Sequence, residues 1–225
     1  PKHPRISDLV TSSLDTVALR SPAHPVAQEV LKRSRLPLAA PSANQFGRIS
    51  PTKSQHVIEE LGGKLNYCLE GGECSIGVES TIAMVNSQGE VSVLRPGGVS
   101  LESLAQHLEK AFQGLHKELG LPAKVAQSPM SPGLLESHYA PKAKVLLNQN
   151  PGKGDGFIAL SKFPTPPGAI RLAAPNSDAN FAHDLYGALR EGDAKGLERI
   201  VVWQPEGNGI AIAIRDRLSR AASGR

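Results

Sequence analysis

Apolar and polar positions alternate in a regular way over two stretches of the chain, before residue 112 and after residue 142, and lose their regularity between them. In the first stretch Asp15 to Arg20 reads as a short buried strand, followed by a helix that starts at Pro25, a residue suited to a first turn, with Val26, Val30 and Leu31 on one face. Leu36 to Ala40 is a second apolar run. A serine cap and a first-turn proline at Ser50-Pro51 open the next helix, which Gly62-Gly63 stops. Tyr67 to Glu70 and Ser80 to Val85 read as strands, and an NSQGE turn leads into VSVLRPG as a hairpin. Ser100 then opens a helix with Leu101, Leu104, Ala105 and Leu108 on one face.

The region from 113 to 142 carries Gly114, Pro122, Pro129, Pro132 and Gly133 and reads as a linker, long enough to suggest a role of its own. Periodicity returns as strands at VLL and FIAL, a helix from Ser177 with Phe181, Leu185 and Leu189, a strand at RIVVWQ and a last helix. In that helix Ile210, Ile214, Leu218 and Ala221 share a face, and Arg215, Arg217 and Arg220 are expected to face elsewhere. Strands alternating with helices indicate a small parallel-sheet unit. The expected organisation is therefore α/β throughout: a mixed α/β region over 1–112, a linker or lid over 113–142, and a Rossmann-like parallel-sheet domain over 143–225.

Composition narrows the class. Hydrophobic residues make up 40% and charged residues 20%, as in globular domains, while aromatic residues are only 4%, so the core rests on aliphatic side chains. No apolar run reaches the roughly 20 residues that span a bilayer, and PKHPRISDLV lacks the apolar core of a signal peptide, which makes a cytoplasmic location the default. Cys68 and Cys74 form no CxxC pair and read as reduced thiols. The net charge of +4 leans weakly toward anionic partners such as nucleotides or RNA.

Several chemistries are disfavoured by what the motifs lack. Neither Gly63-Lys64-Leu65 nor Gly152-Lys153-Gly154 continues into the Ser or Thr of a Walker loop, and GKGDG reads as an ordinary turn. The seven histidines show no metal-binding spacing, and no G-x-S-x-G nucleophile signature occurs. In APSAN, small residues at a strand end allow close approach to the backbone, while Ser42 and Asn44 offer hydrogen bonds; a capped turn is the plain alternative. The helix start at Ser50 would offer free N–H groups to an anion, or be no more than a cap. Arg20, at the end of an apolar strand, needs a carboxylate partner, from a ligand or from the protein. The hydroxyls of Glu79-Ser80-Thr81 fit a strand edge as well as a ligand site.

Taken together, DTVALR, APSAN, GVEST and LRPG resemble the substrate-binding half of a YrdC-like threonylcarbamoyl-AMP synthase. SPGLLESHYAPK, from Ser131 to Lys142, resembles the linker of the two-domain form, and GNGIAIAI in the last helix also matches. The resemblance implies a reaction of L-threonine, bicarbonate or CO2, and ATP, with Mg2+ on the triphosphate, in the pathway to N6-threonylcarbamoyladenosine in tRNA. By the same resemblance Arg20, Ala40 and Ser80 bind L-threonine, and Thr16, Ser42, Ser50, Arg95 and Tyr139 bind ATP. Ser131, His138 and Tyr139 form a lid over the nucleotide. Arg48 adds weaker positive charge and reads more simply as a surface residue. No covalent catalyst or protein-held metal is implied; catalysis is electrostatic and positional.

Partners implied are other proteins of the tRNA threonylcarbamoyl pathway, with no membrane. The family's domain normally begins with a PTET-type strand and a Lys-x-Arg motif, and this sequence opens just before DTVALR. That part is expected to be missing, with weak or no turnover by the isolated chain and an exposed sheet edge. Two other readings stand beside this one: an RNA-binding or nucleotide-sensing module without catalysis, and a carbamoyl-adenylate function like that of hydrogenase-maturation domains. The HYAP linker argues against the last.

Overall fold

A computed structural model describes residues 1–85, 91–111 and 139–223, and the chain forms two compact units, Pro1–Ser42 and Ala43–Arg225. The turn of the hairpin, Ser131, His138 and nearly all of the expected linker lie outside the described residues.

The first unit holds two helices, α1 (Asp8–Thr11) and α2 (Pro25–Ser34). Pro25 stands in the first turn of α2, as its sequence predicts, and the ring of His24 caps the Val26 amide. The expected strands at 15–20 and 36–40 do not form. A strand exists through ladder hydrogen bonds, and among the described residues none pairs with these runs. Leu19 is 89% exposed.

The second unit begins with a loop that runs to α3 (Ser54–Leu61). This helix starts four residues after Ser50, with Lys53 at its cap and no side-chain cap bond, so the expected start at Ser50-Pro51 is corrected. The Ser50 hydroxyl is engaged elsewhere, by Glu79. Tyr67 to Glu70 is exposed and unpaired, again for want of a ladder partner among the described residues. The predicted hairpin does form: β1 (Ile82–Val85) pairs antiparallel with β2 (Val91–Arg95). Helix α4 (Leu101–Ala111) follows, with Ser100 capping the Ser103 amide.

The C-terminal part is the parallel sheet that the alternating pattern predicts. Strands β3 (Lys144–Leu147), β4 (Gly156–Ile158), β5 (Ile170–Ala173) and β6 (Arg199–Val202) lie in the order β3-β6-β4-β5, all parallel. Alternate side chains go to opposite faces. Ile158, Ile200 and Val202 pack with Phe181, Leu185 and Leu189 of α5 (Asp178–Ala194) and Ile214 and Leu218 of α6 (Ile210–Ala222). Phe157 and Val201 face the other side, where Trp203 meets Phe157 and Phe163 edge-on.

Strand β5 was not expected, because prolines crowd its approach and Arg171 interrupts a four-residue run. The arginine is accommodated because its guanidinium donates to the carbonyls of Ala159, Leu160, Phe163 and Ala173. Among the described residues no helix is long and apolar enough to cross a membrane.

Gly77 marks the tightest approach between the loop before β1 and α5. It has φ +84, and a Cβ there would lie 2.3 Å from the Ala182 carbonyl oxygen and 2.5 Å from the His183 Cα. Because both neighbours are backbone, Gly77→Ala is expected to cost about 2–4 kcal/mol, combining left-handed strain with overpacking. Gly187, on α5 with open space around it, is the counter-case. There alanine is expected to add up to about 1 kcal/mol through helix propensity. Urea unfolding of the two variants checks both signs.

Candidate functional site

Two of the matched motifs, GVEST and LRPG, are brought side by side by the β1–β2 pairing. Ile82 faces Arg95, and just beyond the ladder the Gly98 amide donates to the Glu79 carbonyl at 2.9 Å. A Cβ at Gly97 would sit 2.3 Å from that same carbonyl oxygen, so only glycine permits the approach. Arg95 turns inward and is 5% exposed; its guanidinium donates to the Ser80 carbonyl at 2.9 and 3.3 Å. Ser80 itself is exposed, while the Thr81 hydroxyl binds the Val99 backbone at 2.5 and 3.1 Å. One threonine hydroxyl thus stitches the edge, as the sequence alone allowed, and the Ser80 side chain stays accessible.

At the centre of this region is Glu79. Its carboxylate accepts from the Ser50 hydroxyl at 2.6 Å, from the Tyr186 hydroxyl at 3.0 Å and from Arg217 Nε at 2.6 Å. The Arg217 side chain has no exposed surface; it also donates to the Pro96 carbonyl at 2.9 Å, pairs with Asp216 and lies over the Tyr139 ring at 5.2 Å. The expectation that Arg217 faces away from the core is therefore corrected. It lies three residues after Ile214 and four before Ala221, which places it on the buried stripe of α6. A cation there requires an anion, and Glu79 supplies it.

These contacts set the protonation states. Burial pushes the Glu79 carboxyl up, but the Arg217 charge and hydrogen bond and the Ser50 hydroxyl outweigh it and hold it below its ordinary range. Burial works against the Arg217 cation, yet Glu79 more than offsets this and raises its pKa. Burial, and then the Glu79 charge, push Tyr186 well above its ordinary range, so it remains a donor.

Tyr139, the second residue of the HYAP motif, is 1% exposed and adopts φ +62, an uncommon conformation for an aromatic residue. Its ring stacks on Tyr186 at 5.8 Å, and the next amide, of Ala140, donates to the Gly47 carbonyl at 3.1 Å. The motif's end is thus fixed to the loop that follows APSAN. Asn44, the last residue of APSAN, donates to the Gln45 and Arg48 carbonyls of that loop at 2.8 and 3.2 Å. Among the buried side-chain polar atoms of the described residues, its Oδ1 is the single one without a partner, an acceptor open to a ligand donor.

The second unit therefore gathers Ser50, Arg95 and Tyr139 around one buried network with Ser80 at its edge. Thr16, Arg20, Ala40 and Ser42 belong to the first unit, where all four are exposed. Arg20 ends no buried strand, so the expectation that burial forces a partner on it does not hold there.

Sequence reasoning missed Glu79, Tyr186 and Arg217 as a group because they stand more than a hundred residues apart along the chain at their widest. The available signal was the charge at a core position of α6. A separate cleft of about 960 Å³ between α3 and α5 is lined by charges of both signs, including Arg48, Glu60 and Arg190, but by none of Ser50, Ser80 or Arg95. There Arg190 binds Glu60 at 2.9 Å and also the Ile49 carbonyl. The adjacent His56 is held below its ordinary pKa by burial and then by Arg190.

A carboxylate with a lowered pKa contributes stability above its ordinary value of 4.5, and that contribution disappears as pH falls through the lowered folded value. Wild-type protein is expected to lose stability on this account as pH falls from about 5 through the lowered folded value, with the Glu79→Gln variant showing a shallower acid slope. Urea midpoints across that range test this, and parallel curves would contradict it.

Comparison with known proteins extends over the whole chain. A family described as "Telomere recombination" matches residues 1–97, and one described as "Threonylcarbamoyl-AMP synthase, C-terminal domain" matches residues 99–223. Threonylcarbamoyl-AMP synthase of Pyrococcus abyssi is 34% identical over 240 residues, covering 100% of this chain and 69% of the relative. The protein of the same name from Bacillus subtilis is also 34% identical, over 100% of this chain and 68% of its own. The crystal structure of P. abyssi Sua5 complexed with L-threonine superposes with a TM-score of 0.81 at 32% identity, covering 100% of this chain and 69% of that one. With its two domain matches in sequence and the same fold in three dimensions, this chain belongs to the threonylcarbamoyl-AMP synthase family.

Proposed function

We infer that the chain acts in the synthesis of threonylcarbamoyl-AMP, with L-threonine as the amino-acid substrate. The observation that carries this reading is the locked pairing of GVEST and LRPG, which leaves Ser80 exposed beside an inward-turned Arg95. The solved relative complexed with L-threonine supports the choice of substrate. ATP and bicarbonate or CO2 complete the reaction. The threonine amine gains CO2 and loses a proton, a carbamate oxygen attacks the α-phosphorus, and the bond to pyrophosphate breaks as the leaving group departs.

No covalent intermediate on the protein is required. The task is to align two anionic reactants and offset their charge, for which hydroxyls, backbone amides and arginines suffice. In the second unit we assign Ser80 to threonine and Ser50, Arg95 and Tyr139 to the nucleotide side. Since Ser50, Arg95 and Tyr139 are buried in the Glu79 network, their support of the nucleotide is through the loops they hold. In the first unit Arg20 and Ala40 are assigned to threonine, and Thr16 and Ser42 to ATP. Mg2+ enters with the triphosphate as part of the substrate. Ser131 and His138 are assigned to closure over the nucleotide, which keeps water from the mixed anhydride. The protein works in the cytoplasm in this reading, in concert with other tRNA-modifying proteins.

The test is incubation of the purified chain with ATP, Mg2+, bicarbonate and L-threonine, following pyrophosphate and adenylate products by chromatography. Pyrophosphate release that requires threonine, however slow, and is absent with L-serine or no amino acid is the expected result. RNA affinity that falls steeply with salt and ignores threonine, without any product, would replace this reading with that of an RNA-binding module.

A further inference from the structure

The C-terminal helix α6 reaches the matched substrate motifs through one side chain. Arg217 Nε binds Glu79, the residue before Ser80, and Arg217 also donates to the carbonyl of Pro96, the residue after Arg95. One guanidinium therefore holds both motifs at the points where they flank the candidate site. The motifs are further tied to each other by the Arg95 bond to the Ser80 carbonyl and the Gly98 bond to Glu79. Ser50 is held by the same carboxylate, and Tyr139 lies against the same guanidinium. Four residues assigned to substrates thus depend on one ion pair for their placement.

Stability alone is a poor reason for such a pair. Two charges removed from water recover little more than their desolvation cost, and well-packed apolar side chains often serve as well. What the pair does supply is geometry. Arginine's planar fork fixes direction at Glu79 and Pro96 at once, which a lysine ammonium does not. Two neighbouring anchors of this region, Gly77 against α5 and the Lys142 and Ala143 amides on the Asp193 carboxylate, make no contact with Glu79 or Pro96.

We propose that Arg217, paired with Glu79, is a positioning residue for the threonine site, through which the C-terminal domain fixes where Ser80 stands. This rests on the threonine reading above. The pair touches no substrate; it orients the backbone that presents one. The C-terminal domain then has a defined share in the reaction, although its own sheet carries none of the assigned substrate residues.

The experiment is calorimetric titration of L-threonine into the full chain in the presence of a non-hydrolysable ATP analogue, alongside urea unfolding of each protein. Arg217→Lys keeps the charge and loses the fork. The double variant Glu79→Gln/Arg217→Met leaves no charge unpaired and keeps hydrogen-bonding capacity toward Ser50 and Tyr186. Lys195→Ala, in an exposed pair on α5, is the control. Both pair variants are expected to bind threonine on the order of 10- to 100-fold more weakly while remaining folded, the size of loss that small misplacements produce. A merely structural pair would lower the unfolding midpoint and the fraction of active protein but leave the dissociation constant of the folded molecules unchanged.

Unchanged affinity in both variants, with wild type binding, overturns the positioning role and leaves the proposed function standing. Failure of both variants to fold assigns the pair to the core and likewise overturns it. Wild-type protein that does not bind threonine refutes the proposed function, and this role with it.

Discussion

Arg217 is a cation with no access to water, and the position of much of the second unit follows from how that charge is met. Glu79 is its counter-ion, and because Glu79 sits on the segment leading into β1, the pairing draws that segment onto α6. The β1–β2 hairpin follows, since Arg95 and Gly98 bind the same segment. Tyr186 of α5 donates to the same carboxylate, and Ser50 fills its remaining side. An unpaired charge in this place would cost several kcal/mol, so each of these elements is held to the others by a penalty for separation as well as by contact.

The hydrophobic core lies beside this network and supports it. Phe181, Leu185 and Leu189 secure α5 on the parallel sheet, and Ile214 and Leu218 secure α6, which leaves Tyr186 and Arg217 directed at the same point. Backbone contacts complete the arrangement: α5 approaches the loop at Gly77 too closely for any side chain, and Asp193 near its C-terminus receives the Lys142 and Ala143 amides. The rigid sheet and its two helices are thus a platform, and the segments carrying Glu79 and Pro96 are pinned to it by polar groups.

Much of this was legible in the sequence where local signals decide the outcome. Pro25, Ser100 and Ser177 each mark a helix start by capping or first-turn chemistry, and the parallel sheet follows from alternating strands and helices. The readings that failed were those in which a partner decides. DTVALR and LPLAA have strand-like composition, but a strand requires a ladder, and none of the described residues provides one. Ser50 has the form of a cap, yet its hydroxyl goes to Glu79, twenty-nine residues away. Arg217 looked like a surface residue by type, whereas its spacing from Ile214 and Ala221 put it on the core stripe. The motifs located the candidate site, but the network that holds it is made of long-range polar contacts whose members carry no shared local pattern.

The most direct measurement is a double-mutant cycle on unfolding free energy with Glu79→Gln, Arg217→Met and the two combined, in urea at neutral pH. If the pair joins the motif-bearing loops to the helices as described, the single changes will each be costly and the double change much less so than their sum, giving a coupling of about 2 kcal/mol or more. Effects that add to within about 0.5 kcal/mol would show that the two side chains act independently, and would contradict the account.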